Sequence, residues 1–226
     1  MKKYKYILSD ADNTLFDFDL AEHEALSETM KKFGVCLSET EHAAYHEIND
    51  GLWKKLERGE ITREKLKIVR FSEFSDFLGG GIEASPEELA QEYVKNLALQ
   101  SQLVPGALEF CRNTSAKYPL YLITNGITHV QRSRLAGSPI ADYFTGVFIS
   151  EEMGCAKPDV TFFTKVQAAI GDVDLSSYLV IGDSLSSDIQ GAVNFGCDSV
   201  WISKSGKSDP RPTYTVKELS EISEII

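Results

Sequence analysis

The chain has 226 residues, 42% of them hydrophobic and 25% charged, which excludes a largely disordered protein and suits one large domain or a core domain with a smaller insert. A formal net charge of −11 excludes an extended nucleic-acid surface, because phosphate backbones require a basic stripe. No apolar run approaches the ~20 residues that cross a bilayer, and Cys36, Cys111, Cys155 and Cys197 form no Cys-x-x-Cys pair, as expected of free thiols in a reducing compartment.

The first residues, Met1-Lys2-Lys3-Tyr4-Lys5, are basic, but the apolar run behind them reaches only Leu8 before Ser9-Asp10. That is too short for an export signal, so a cytoplasmic protein is expected. Tyr6 to Ser9 reads as a buried strand that ends on two aspartates, in Ser9-Asp10-Ala11-Asp12-Asn13-Thr14. Such a strand end presents one carboxylate as a nucleophile and keeps the other close enough to handle protons. Like charges this near are hard to keep ionised together, and a site that pairs them usually holds a metal cation.

From about Asp19 to about Ser101 the sequence shows no convincing strand, only helix signals. Ser38 with Glu41 and Ser85 with Glu88 have capping-box spacing, and Pro86 takes the favoured first helical position. Thr62 is a plausible cap for a helix over Arg63 to Leu78 that ends at Gly79-Gly80-Gly81. The interval is predicted to be a helical insert of about eighty residues, roughly half a modal domain. It begins just past the acidic loop and is expected to overhang the catalytic end of the sheet.

Beyond the insert, strands are predicted over Leu120 to Thr124, Val147 to Ser150, Tyr178 to Gly182 and Ser199 to Ile202. Helices are predicted over Gly106 to Lys117, Thr128 to Leu135, Asp159 to Ile170 and Asp188 to Phe195, the last stopping at Gly196. Thr215, with Glu218 three residues on, announces a final helix over Val216 to Glu224. Strands alternating with helices, and near-continuously apolar, predict an α/β fold with a parallel, Rossmann-like sheet covered on both faces. Residues 1–16 and 102–226 are expected to form that core, and residues 17–101 an inserted helical cap.

Four distant segments each end or follow a predicted strand. They are Asp10 with Asp12; Thr124-Asn125-Gly126; Lys157-Pro158-Asp159; and Gly182-Asp183-Ser184-Leu185-Ser186-Ser187-Asp188. In open parallel sheets ligands bind at the carboxyl ends of strands, where these segments all fall. A small anionic substrate would need concentrated positive charge there, from a metal ion and a placed lysine, against the repulsive overall field.

This set of motifs, in this order and spacing, resembles the haloacid dehalogenase-like (HAD) hydrolase superfamily over essentially the whole chain, with the insert similar to the cap of its first subclass. The resemblance implies that strand one lies beside strand four, bringing Asp10 and Asp183 together. It implies that Asp10 attacks phosphorus to form an aspartyl-phosphate, and that Asp12 protonates the leaving oxygen and then deprotonates water. Mg²⁺ would be held by Asp10, Asp183 and the main-chain carbonyl of Asp12, with Asp188 nearby or bound through water. Thr124, Asn125, Gly126 and Lys157 would hold the phosphoryl group and offset its charge. Dehalogenases in that superfamily lack the second aspartate, because halide leaves without a proton; Asp12 therefore favours a phosphatase, with phosphomutase also open.

Asp10-Ala11-Asp12-Asn13-Thr14-Leu15-Phe16-Asp17-Phe18-Asp19 is similar to bacterial 5′-nucleotidases acting on pyrimidine and non-standard pyrimidine nucleoside monophosphates. Leu52-Trp53, Gly59-Glu60-Ile61-Thr62, Arg70-Phe71 and Ile149-Ser150-Glu151-Glu152-Met153-Gly154 share that resemblance. It implies a soluble phosphomonoesterase, monomer or homodimer, whose cap closes over a small nucleotide and reads the leaving group. A sugar-phosphate or phosphoglycolate phosphatase on the same core, and a catalytically silent metal-bound regulatory domain, are the alternatives. Trp53, Phe16, Phe18 and Arg70 are candidates for substrate contact, with core packing the competing explanation of the aromatics. His42 and His46 have metal-binding helix spacing but no third ligand. His129 suits a solvated helix start, and Asp19, Glu22 and Glu24 suit a charged helix face.

Overall fold

The computed structural model describes residues 3–226. β1 (Tyr6–Ser9) is followed by α1 (Phe18–Lys32), α2 (Glu39–Glu57), α3 (Arg63–Phe77) and α4 (Pro86–Ala98). Then come α5 (Ala107–Ser115), β2 (Leu120–Thr124), α6 (Thr128–Ala136), β3 (Gly146–Ile149), α7 (Ser150–Met153), α8 (Val160–Ile170) and β4 (Tyr178–Gly182). The chain finishes with α9 (Gln190–Phe195), β5 (Asp198–Ile202) and β6 (Tyr214–Val216). Two compact units result, one from the chain up to Phe18 together with Ser101–Ile226, the other from Asp19–Gln100.

The first unit is an α/β sheet with strand order β3-β2-β1-β4-β5-β6, every pair parallel. All five residues of β4 are buried, as a strand covered on both faces requires. The two-residue side-chain period divides the core into layers. Ile7, Leu120, Leu122, Leu179, Ile181 and Val200 pack with Phe110, Cys111 and Leu219 on one face. Leu8, Ile123 and Val180 pack with Phe162, Phe163, Val166 and Ala192 on the other. Strand order reverses at β1, so the crevice that such sheets offer to ligands opens at the carboxyl ends of β1, β2 and β4.

The second unit contains no strand among its described residues. Both capping boxes form: the Ser38 and Ser85 side chains accept from the main chain of Glu41 and Glu88, whose carboxylates reach back. Thr62 caps α3. Tyr45, Phe71, Phe74 and Tyr93 are fully buried with ring centroids 5.2–5.6 Å apart. Burying a phenylalanine ring such as Phe71 or Phe74 is worth about 1.5–3 kcal/mol, so the insert has a core of its own.

Four local expectations need correction. The final helix is replaced by β6 and a 3-10 turn over Leu219–Glu224. Val216 is 6% exposed and pairs with Ile202, so the sheet captures the apolar residue that the capping signal had assigned to a helix. The true cap lies three residues later, at Glu218 with Glu221. Ser150 opens α7 rather than ending β3, and the helix expected from Asp159 starts at Val160, with Asp159 as its cap. The helix expected from Asp188 begins earlier, with a π-helical turn over Leu185–Ile189.

Candidate active site

The end of β1 is held before any side chain is considered. Asp10 N donates to Ile181 O at 2.8 Å, extending the ladder with β4 one residue beyond the strand. The chain then doubles back, with Leu15 N and Phe16 N both donating to Ala11 O at 2.9 and 2.8 Å. Asn13 takes the left-handed conformation, at φ 60°, which asparagine tolerates better than most residues. Thr14 Oγ1 donates to Asp183 Oδ1 at 3.3 Å, linking this loop to the one after β4.

Lys157 is the hub. Its ammonium donates to Asp10 Oδ1 at 2.6 Å, Asp188 Oδ1 at 2.6 Å and Ile123 O at 3.0 Å, which uses all three of its protons. The lysine is 1% exposed and is aimed by its own main chain. Asn125 Oδ1 accepts from Lys157 N at 2.9 Å while Asn125 Nδ2 donates to Lys157 O at 2.8 Å. Thr124 Oγ1 accepts from Gly126 N at 3.1 Å.

After β4 the chain carries the remaining acids. Ser184 N donates to Asp188 Oδ2 at 3.1 Å, and the indole of Trp201 donates to the Asp183 carbonyl at 2.8 Å. Only glycine fits at 182, because a Cβ there would stand 2.2 Å from Asp188 Oδ2. Ligand oxygens of Asp10, Asp183 and Asp188 lie within 4.8 Å of one another.

This crowding has an electrostatic cost. Burial pushes the Asp10 carboxyl well above the ordinary carboxylate range, with Asp188 adding to the effect and Lys157 opposing it. Burial and then Asp188 push Asp183 up to about 7. Burial alone would lower the Lys157 ammonium, but Asp10 and Asp188 outweigh it and hold it above its usual value. Three carboxylates against one ammonium leave two negative charges. A hard dication with oxygen preference fits this donor set in charge and in chemistry.

Asp10, Lys157, Asp183 and Asp188 thus come together at one rim, with Thr124 at the tip of the adjoining β2. The Asp12 carboxylate has partners of its own, accepting from Gln131 Nε2 at 2.6 Å and from Arg134 Nη1. Neither Gln131 nor Arg134 stands out in the sequence; the available signal was their three-residue spacing on the helix after Thr124-Asn125-Gly126. The Asn125 side chain engages the Lys157 main chain through both its oxygen and its nitrogen.

Other candidates resolve differently. Phe16 is fully buried beneath the Arg134 guanidinium at 4.8 Å. Arg70 is 1% exposed, stacked 4.4 Å from the Tyr93 ring and bonded to Asn49, which makes it a core residue of its unit. Glu22 is also buried, against the expectation of a solvated face, and accepts from Asn49 Nδ2 and pairs with His46 Nδ1, both at 2.6 Å. His42 stacks on His23 at 3.8 Å and pairs with Ser27, so His42 and His46 are not gathered as metal ligands. His129 is exposed and Trp53 half-buried.

The family model described as haloacid dehalogenase-like hydrolase matches residues 4–196. The chain belongs to that family. Among relatives of this HAD-like hydrolase, the pyrimidine 5′-nucleotidase PynA of Streptococcus pneumoniae is 39% identical over 97% of this chain and 93% of its own length. The pyrimidine 5′-nucleotidase YjjG of Escherichia coli is 30% identical over 99% and 98%. The magnesium-bound crystal structure of the HAD-hydrolase YfnB from Bacillus subtilis superposes with a TM-score of 0.92 at 35% identity, covering 99% of each chain. No helix among the described residues is long and apolar enough to cross a membrane.

Proposed function

We propose that this HAD-like hydrolase is a Mg²⁺-dependent phosphomonoesterase acting through an aspartyl-phosphate, with pyrimidine nucleoside 5′-monophosphates as its preferred substrates. The observation that carries the reading is the junction of Asp10, Lys157, Asp183 and Asp188 at the rim of β1 and β4. Full-length similarity to two pyrimidine 5′-nucleotidases supports the substrate class.

Asp10 Oδ attacks phosphorus, and the ester oxygen departs as an alcohol with a proton from Asp12. The Asp12 carboxylate then takes a proton from the water that attacks the aspartyl-phosphate, releasing phosphate and restoring Asp10. Lys157 holds Asp10 in place and offsets charge on nucleophile and phosphoryl group. Asn125 fixes the lysine, and Thr124 lies beside it to meet phosphoryl oxygens. Bound by Asp10, Asp183, Asp188 and the Asp12 carbonyl, Mg²⁺ would supply the positive charge that keeps Asp10 ionised and favours the transferring phosphoryl group.

Phosphate release should be compared for dUMP, dTMP, UMP, glucose phosphate and phosphoglycolate, with Mg²⁺ and with excess chelator. Pyrimidine nucleotides are expected to lead the other esters by at least about tenfold in kcat/KM, and chelator should stop turnover. A lead for glucose phosphate or phosphoglycolate would reassign the substrate. Undiminished rates in chelator would overturn the metal dependence.

A further inference from the structure

The Asp12 carboxylate is gripped at both oxygens by one face of α6. Gln131 Nε2 donates to Oδ2 at 2.6 Å, and Arg134 Nη1 donates to Oδ1, from positions that neighbour each other on a helix surface. Both gripping residues are interior, with Gln131 2% and Arg134 0% exposed, whereas the Asp12 side chain keeps 28% exposure. The guanidinium is itself fixed, 4.8 Å from the Phe16 ring and 5.8 Å from the Phe18 ring. An interior arginine is costly unless its charge is paired, and Asp12 supplies that pairing. Gly126 belongs to the same device, since a Cβ there would stand 2.3 Å from Gln131 Nε2.

We propose that Gln131 and Arg134 are positioning residues that lock the Asp12 carboxylate in the orientation from which it protonates the departing alcohol. The inference rests on the phosphomonoesterase reading above. An aspartate side chain has several staggered rotamers open to it, and the grip selects one. Each carboxylate oxygen has two lone pairs, so accepting one hydrogen bond leaves a site for the proton to be transferred. Well-aligned proton transfer is worth about 10²–10⁴-fold, and that contribution disappears when the group wanders. Both act through Asp12, the carboxylate they hold.

The test uses leaving groups. kcat/KM reports phosphoryl transfer up to loss of the alcohol, and p-nitrophenolate departs with little need of a proton while a nucleoside alkoxide does not. Gln131→Ala and Arg134→Met, the second chosen to keep a long side chain between Phe16 and Phe18, should be assayed on the best nucleotide of the panel and on p-nitrophenyl phosphate. The expected loss is at least about tenfold on the nucleotide and under about threefold on p-nitrophenyl phosphate, with KM little changed. Thermal unfolding of both variants accompanies the assay. Equal losses on the two esters, a larger loss on p-nitrophenyl phosphate, or unchanged rates on both would overturn the proposal. Should Arg134→Met not fold, Gln131→Ala decides alone. A wild type active on p-nitrophenyl phosphate but on no nucleotide would refute the substrate assignment, and the comparison would then use its best alkyl phosphate. A wild type inert toward every ester would overturn the parent reading and this one with it.

Discussion

At the scale of single residues, the site is organised around shared charge. Asp10, the nucleophile of the proposed mechanism, stands among two other carboxylates with the Lys157 ammonium in opposition. Asp10→Asn removes one of the three charges and keeps an oxygen for the Lys157 ammonium. Turnover should fall by more than about 10³-fold, as it does when a nucleophile is removed from a catalytic set. Metal-free thermal stability should hold or rise by about 2–4 °C, the equivalent of about 1 kcal/mol of relieved repulsion. Phosphate release and a melting curve check both halves, and a clear drop in Tm would contradict the charge argument. The meeting of Asp10, Lys157, Asp183 and Asp188 was legible because their segments lie beyond apolar strands in a recognisable order. Gln131 and Arg134 were not, since a polar pair on a short helix is ordinary until its partner 119 and 122 residues away is known. Glu22 misled for the opposite reason, being a charged residue that the insert buries and pairs with Asn49 and His46.

At the scale of elements, local signals worked wherever the chain satisfied its own backbone nearby. Ser38 with Glu41 and Ser85 with Glu88 were readable because a capping box involves four consecutive residues. Ser38→Ala should lower stability by about 1 kcal/mol, or about 2–4 °C in Tm, measurable by thermal unfolding with the rest of α2 unchanged. β1, β2 and β4 were readable because burial on both faces leaves uninterrupted apolar runs. The C-terminal region was not, because Thr215 and Glu218 carry capping-box spacing while Val216 is drawn to the open edge of β5. Tertiary pairing overrode a local signal there. The π-helical turn over Leu185–Ile189 escaped prediction as well; such turns occur often at functional sites, and this one carries Asp188.

At the scale of the whole molecule, acidity makes stability depend on pH and on metal together. Burial and the Asp188 carboxylate push Asp183 up to about 7 in the folded, metal-free protein, against about 3.9 for a free aspartate. A carboxyl raised in this way contributes stability that is fully present below about pH 4 and lost as pH rises through about 7. A dication competes with protons for the same oxygens, so its binding strengthens over that window. The rise in Tm produced by a fixed Mg²⁺ concentration should therefore be larger at about pH 8 than at about pH 5.5. Scanning fluorimetry at the two pH values would show it, and equal gains would contradict it.

β1 has a hydrogen-bonded neighbour along each side, and that placement bears on how steadily the enzyme can aim. Interior strands open only when the whole fold does, whereas margins fray at little expense. The proposed attacking group, one residue past this interior strand, is therefore expected to keep its bearing even where β3 and β6 fray at the two borders. Steadiness at the reacting atom is in this sense a property of the weave, inherited from topology before any side chain contributes.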